Sequence, residues 1–318
     1  MKLKMKMKKQ KFASAKQIEK ILFLSSSNFG ALILENLSQD LLDKIVLITS
    51  ADKPKGRGLN FLENGAKTIA KRLNLDILEI NSKEDLVQIL EKKDYDLAIV
   101  AGFSYIISAD LLKSPKTHLK HLVVHPSLLP DLRGSSPIQS ALLKGYQKTG
   151  VCLFAIEKSI DAGDILTCGQ YFVENDDNYK TLEIALAKIS AKLLKTNINT
   201  YLQGVAKLKK QIGEPTHTKQ IEKSDGKIDF EIDRPKDIYN KFRAFYVWPG
   251  IYFELPVSSK MSRGENNKKI KITDLALKNG KLKIEKVLPE GKKQMDFKAF
   301  LNGYPFPLDL QNKIVYSN

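Results

Sequence analysis

The sequence predicts an α/β fold with a mostly parallel sheet, followed by a smaller β-rich domain. Over about the first 205 residues, short apolar runs alternate with amphipathic stretches of helix length. That alternation builds a parallel sheet with helical crossovers. Beyond a polar, Lys-rich stretch from Ala206 to Glu222, β-like runs are separated by turns at Asp225-Gly226, Pro249-Gly250 and Asn279-Gly280, the punctuation of a small β domain. A chain of 318 residues is long enough for both. The expected division is a basic tail over 1–19, a first domain over 20–205, a linker over 206–222 and a second domain over 223–318.

Each element has a local reason. Lys20-Ile21-Leu22-Phe23-Leu24 reads as a buried strand. Ser25-Ser26-Ser27-Asn28 supplies turn residues and an N-cap for a helix from about Phe29 to Ser38. A second strand, Lys44 to Thr49, ends in the basic, Gly-punctuated stretch Ser50 to Gly58, expected to be an exposed, mobile loop. Helix, strand and helix follow over about Asn64–Arg72, Asp76–Ile80 and Ser82–Lys92. Tyr95 to Val100 is a buried strand leading to Gly102-Phe103. Ser136 to Lys144 reads as helical. A long helix from about Thr181 to Gln203 carries Ile184, Leu186, Ile189, Leu193 and Leu194 at helical spacing; these are core positions.

In open parallel sheets ligands bind outside the carboxyl ends of strands. The Gly102-Phe103 loop, the basic loop and the loop after Leu122-Val123-Val124 all follow strands, so they gather at one rim. In the third loop, His125 enters Pro126-Ser127-Leu128-Leu129-Pro130, and 36 positions later Asp161 sits in an Asp-Ala-Gly turn. An imidazole and a carboxylate at two strand ends fit an acid–base pair. No G-x-G-x-x-G follows the first strand and no P-loop pattern is present, which argues against nicotinamide and nucleotide-triphosphate chemistry.

The net charge is +16, and residues 1–20 hold eight lysines against one acid, Glu19. A basic excess of this size favours a polyanionic partner, most simply nucleic acid. The tail suits an organelle transit peptide or a flexible basic arm; a mitochondrial address is the first expectation and a bacterial cytoplasm the second. No apolar run approaches the ~18 residues of a membrane helix, so a soluble protein is expected. Cys152 and Cys168 lie in apolar runs and read as buried free thiols in a reducing compartment. The four histidines have no ligand spacing with the cysteines, so no metal is expected.

These residues resemble the formyltransferase family that uses 10-formyltetrahydrofolate, and within it the branch whose acceptor is initiator methionyl-tRNA. The resemblance rests on His125-Pro126-Ser127-Leu128-Leu129-Pro130, Leu132-Arg133-Gly134, Ser136-Pro137-Ile138-Gln139, Thr149-Gly150-Val151 and Asp161-Ala162-Gly163-Asp164-Ile165. It extends through Asp52 to Gly58, Arg243-Ala244-Phe245 with Trp248-Pro249-Gly250, and Pro289 to Met295 with Phe300 to Tyr304. It implies a Rossmann-like catalytic domain followed by a small OB-like β-barrel that holds tRNA. It implies His125 and Asp161 as catalytic residues. Gly102, Phe103, Ser127, Leu128, Leu129, Pro130 and Asp164 are expected around the folate. Arg57 with Lys53, Lys55, Lys292 and Lys293 is expected on the tRNA. A monomer is expected.

One departure bears on the chemistry. The family carries an asparagine two residues before the histidine, where this chain has Val123. Positions two apart on a strand share a face, and loss of one oxyanion donor costs roughly 10²–10³ in rate. His121 lies four residues back, roughly 13 Å along a strand, too far for simple replacement; Ser127 or an ordered water are the alternatives. A catalytically silent tRNA-binding homologue and a folate-dependent enzyme acting on a small amine are therefore the competing readings.

Overall fold

Seven strands form one sheet in the computed structural model, which describes residues 19–55, 60–92, 95–107, 120–255, 268–304 and 314–315. The strands are β1 (Ile21–Leu24), β2 (Ile45–Ser50), β5 (Asp76–Ile80), β6 (Leu97–Val100), β7 (Lys120–His125), β8 (Lys148–Phe154) and β9 (Ile165–Phe172), in the order β5-β2-β1-β6-β7-β8-β9. The first five in that order run parallel; β8 and β9 are antiparallel to their neighbours. All four residues of β1 are fully buried, as a central strand covered on both faces requires. The helices are α1 (Asn28–Asn36), α2 (Gln39–Leu42), α3 (Gly65–Arg72), α4 (Lys83–Lys92), α5 (Pro137–Leu143) and α6 (Tyr179–Leu202). Caps fix their starts: Ser27 Oγ accepts from Gly30 N, Asn64 Oδ1 from Lys67 N, and Asn178 Oδ1 from Lys180 N.

β1 lies between β2 and β6, so strand order reverses beside it. The crevice outside the carboxyl ends of β1 and β6 is the switch point where such sheets bind ligands. There Ser26 N donates to Gly102 O at 3.1 Å and Ser27 Oγ to Ala101 O at 3.4 Å. The two backbones approach closely because Gly30 lacks a side chain.

Two expectations change, and one strand is added. In place of a plain loop after β2, β3 (Lys53–Lys55) pairs antiparallel with β4 (Asn60–Leu62); Arg57 lies outside the described residues. β9 carries no strong sequence signal because its burial alternates between half-buried and exposed along an edge strand. Cys152 and Cys168 are not free thiols. Register places them opposite each other on β8 and β9 with Cα atoms 4.1 Å apart, and they are disulfide-bonded.

The second domain opens with α7 (Pro235–Ala244) and continues through β10 (Ile251–Leu255), β11 (Lys268–Lys278), β12 (Lys281–Pro289), β13 (Met295–Asp296), α8 (Phe297–Gly303) and β14 (Ile314–Val315). Its mainly antiparallel five-stranded sheet makes a small, barrel-like domain. Asn279 and Gly280 join β11 to β12, both with positive φ (49° and 75°), as a tight hairpin turn demands. A register shift at Asp274 moves the buried positions from Ile270 and Ile272 to Leu275, which bends the strand while keeping its apolar face inward. Arg243 joins the two domains: it is buried, and Nη1 donates to the carbonyls of Glu174 and Asp177.

A Cβ on Gly30 would sit 1.9 Å from Ser25 Oγ and 2.9 Å from the Ala101 carbonyl oxygen. Gly30→Ala is expected to destabilise the protein by about 1–3 kcal/mol through overpacking, read as a lower urea midpoint. An unchanged midpoint would show that the β1–β6 junction has room to relax.

Candidate active site

The site is built at the carboxyl end of β7, where the sheet changes from parallel to antiparallel. His125 is the last residue of β7, paired with Cys152 of β8, and its side chain is 93% buried. The turn that follows is locked by its own polar groups. Ser127 N donates to His125 O, Ser127 Oγ donates to Asp131 O at 2.5 Å, and Asp131 N donates to Leu128 O. Leu132 then adopts a left-handed φ of 59°, which turns its carbonyl back on the imidazole: His125 Nε2 lies 2.9 Å from Leu132 O. A carbonyl only accepts, so Nε2 carries a proton. Nδ1 is the ring nitrogen left for chemistry.

Asp161 faces that nitrogen. Its Oδ2 is 3.6 Å from His125 Nδ1 and accepts a 2.8 Å hydrogen bond from Gly134 N. Asp161 also has a left-handed φ, 53°. Both residues that hold the ring are therefore non-glycine residues in sparsely populated backbone, a conformation that persists only where surrounding structure enforces it. The Asp-Ala-Gly turn has a steric cause as well: a Cβ on Gly163 would lie 1.7 Å from Ala155 O.

What enforces the geometry is the stretch expected to be a plain linker. It folds back as a strap across both loops. Lys209 exchanges two backbone hydrogen bonds with Ile165. Gln211 Nε2 donates to Asp161 O at 2.8 Å and Gly163 O at 2.9 Å, while Gln211 Oε1 accepts from Arg133 Nη2 at 2.6 Å. Thr216 Oγ1 accepts from Leu132 N, and Arg133 pairs by backbone with Thr216 and Thr218. One strap thus ties the Asp161 loop to the loop that holds His125. Polar composition alone did not reveal it, because the same residues suit a solvated linker.

Two hollows adjoin the pair. The first, about 430 Å³, is lined by His125, Asp161, Asn28, Gly102, Phe103, Gln139 and Glu183 among others. The second, about 340 Å³, is an apolar slot lined by Tyr105, Ile107, Phe154, Ile156 and Ile160. Val100, Val123 and Asp161 line both, so Val123 stands on the partition beside His125. Of the remaining sequence candidates, Ser127, Leu128, Leu129, Pro130 and Asp164 line neither hollow. Ser127 and Leu129 are buried, with Ser127 acting through the turn and Leu129 packed against Cys152 and Phe154. Lys292 and Lys293 are exposed in the turn after β12, remote in sequence from the pair. Lys53 and Lys55 stand in β3, whose base is pinned where buried Lys67 meets Asp52 at 2.5 Å and Glu79 at 2.9 Å. Those two hydrogen-bonded carboxylates hold the Lys67 amine above its usual range.

The sequence also left Glu183 unmarked. Its signal was there: a carboxylate between Leu182 and Leu186 on the buried stripe of α6.

Comparison with known families decides the class of protein around this geometry. Residues 19–198 match the formyl transferase family and residues 220–281 match the formyl transferase C-terminal domain. The chain belongs to the formyl transferase family. Family relatives include the methionyl-tRNA formyltransferase of Sulfurihydrogenibium sp. (strain YO3AOP1), 35% identical over 237 residues, covering 73% of this chain and 75% of that one. That of Geobacillus sp. (strain WCH70) is 32% identical over 305 residues, covering 89% and 94%. Among solved structures, methionyl-tRNA formyltransferase from Clostridium thermocellum superposes with a TM-score of 0.56 at 16% identity, covering 88% of this chain and 100% of that one. A 4-N formyltransferase from Francisella tularensis gives 0.59 at 19% identity, covering 78% and 95%. At these identities the structures establish the shared formyl transferase fold.

Gln211→Leu removes the donor to two loop carbonyls and the acceptor for Arg133. Leaving such groups unsatisfied costs about 1–3 kcal/mol each where they are buried. The expected outcome is a lower thermal midpoint together with a transfer rate reduced more than Gln211→Glu reduces it, measured on purified variants. Equal wild-type rates for all three proteins would show that the strap does not position Asp161.

Proposed function

We infer that the chain transfers a formyl group from 10-formyltetrahydrofolate to the amino group of methionyl-initiator tRNA, the step that prepares the initiator for translation. The observation that carries this reading is the His125–Asp161 pair on a hollow of mixed lining that adjoins an apolar slot, in a chain whose relatives over most of its length bear that activity in their names. Those relatives are bacterial, which favours a bacterial cytoplasm and gives no support to the mitochondrial address. In this reading residues 20–205 catalyse, 206–222 connect and strap, and 223–318 hold tRNA with the β3–β4 hairpin.

The apolar slot suits a pterin ring, with exposed Ile106 and Ile160 in its lining. The folate supplies the formyl carbon. On the protein side, Nε2–H of His125 is committed to Leu132 O, so Nδ1 takes the proton that the attacking amine releases. Asp161 stabilises the resulting imidazolium and, through Gly134 N, keeps its carboxylate from rotating away. Val123 supplies no donor to the developing oxyanion. The side-chain amides of Asn28 and Gln139 line the same hollow and are the proposed replacements. Several solved neighbours are sugar N-formyltransferases, so a small amine is the alternative acceptor.

Formylation of initiator methionyl-tRNA by wild type, Val123→Asn and His125→Ala tests the reading. Wild type is expected to turn over, His125→Ala to lose roughly 10²–10⁴-fold in rate, and Val123→Asn to gain up to roughly 10²-fold from the added donor. A silent wild type with an active Val123→Asn would mark a repurposed homologue. Silence in all three with tRNA still bound would leave a binding protein. Formylation of an amino sugar nucleotide instead would change the acceptor.

A further inference from the structure

A third hollow of about 460 Å³ lies beside the catalytic one, and three residues, Asn28, Tyr179 and Glu183, line both. Away from that junction its walls are largely aliphatic: Ala31 and Leu32 from α1, Ile69 from α3, Ile184 from α6, and exposed Val247 at the rim. Apart from Tyr179 its lining offers no aromatic face for a base, and stacking is what an unpaired nucleotide seeks. Its charged lining is Glu35, which is ion-paired to Arg72, Glu183 and a single lysine, Lys180, so it offers no cationic cluster for a phosphate. The chemistry favours an unbranched apolar group carrying a cationic head toward the junction.

Glu183 supplies the complement to that head. It is 95% buried, and Tyr179 Oη donates to its Oε1 at 2.8 Å across one helical turn. A carboxylate this far from water is costly unless it is paired. Burial raises the Glu183 carboxyl above its usual range, and it likewise raises the Tyr179 phenol, so Tyr179 stays a donor.

We propose that the third hollow is the subsite for the methionyl side chain, and that Glu183 at its mouth holds the α-ammonium and takes its proton before attack. This rests on methionyl-tRNA being the acceptor. In the step, one N–H bond of the ammonium breaks and one O–H bond forms on Glu183. The freed nitrogen lone pair then attacks the formyl carbon, and the second proton the nitrogen releases goes to His125; as the bond from that carbon to the folate nitrogen breaks, His125 returns the proton to that nitrogen and tetrahydrofolate leaves. The groups sharing a hollow with Glu183 are Tyr179, His125 and Asp161 on the catalytic side, and Glu35 and Lys180 on the other. Of these, Tyr179 hydrogen-bonds to it.

The test uses the full-length chain, 10-formyltetrahydrofolate, and one initiator tRNA charged with either methionine or alanine. Thr68→Trp, at an exposed position on the hollow's wall, narrows the subsite without touching the core; Ile184→Trp narrows it from the opposite helix. Both are expected to raise KM for the methionyl substrate by about tenfold, the discrimination one apolar pocket gives, and to leave the alanyl substrate within about twofold. An equal loss on both substrates, or none, overturns the subsite. Glu183→Gln is expected to lower kcat/KM about tenfold near pH 6.5, with the deficit closing above the ~7.7–8.0 range where an α-amine deprotonates unaided. A deficit constant with pH overturns the proton role. Absence of formylation by wild type on either charged tRNA would instead overturn the acceptor assignment beneath it.

Discussion

Everything at this site depends on holding one imidazole ring between two groups that the backbone would not offer unaided. Leu132 and Asp161 each adopt a left-handed φ to reach His125, one with a carbonyl and the other with a carboxylate. Such conformations cost of order 1–3 kcal/mol each. The compensation is local and visible. Thr216 and Arg133 fix the Leu132 turn, Gln211 fixes the Asp161 turn, and Arg133 joins the two by donating to Gln211. The ring is thereby oriented before any substrate arrives, which is what electrostatic catalysis requires.

This arrangement explains why the connection between domains belongs to the chemistry. The strap leaves α6, crosses β9 at Ile165, and runs along the His125 loop before entering the second domain. Residues 209–219 thus stand between the second domain and the His125 and Asp161 loops, hydrogen-bonded to both loops. Arg243 adds a second tie: its guanidinium, 5.4 Å from the Tyr239 ring, reaches back to the loop that starts α6. Burial lowers the Arg243 pKa from its usual value, and Nη1 and Nη2 donate to the carbonyls of Glu174 and Asp177 and to Asn240 Oδ1.

Much of this was legible in the sequence. Uniformly apolar β1 and the regular alternation gave the parallel sheet, and Asn279-Gly280 gave the hairpin, because these are local signals. His125 and Asp161 were legible because each sits where a strand run breaks into turn residues. The disulfide was not, since it depends on the register of β8 against β9, which two apolar runs do not specify. Nor was the strap: residues 206–222 have linker composition, and only tertiary hydrogen bonds give Gln211 and Thr216 their role. Glu183 lay between these cases. Its helical position predicts burial, but nothing local says what a buried carboxylate there would face.

The proposed role of Asp161 rests on its charge, and not merely its shape, supporting the His125 ring during transfer. Asp161→Asn keeps the acceptor for Gly134 N and nearly the same volume while removing the charge. Single-turnover formylation of initiator methionyl-tRNA by this variant measures the chemical step directly. A fall of up to roughly 10⁴-fold, the loss seen when an imidazole's carboxylate partner becomes an amide, is expected with an unchanged thermal midpoint. A rate within about threefold of wild type, where a lost charge stabilisation should exceed 1.4 kcal/mol, would contradict it.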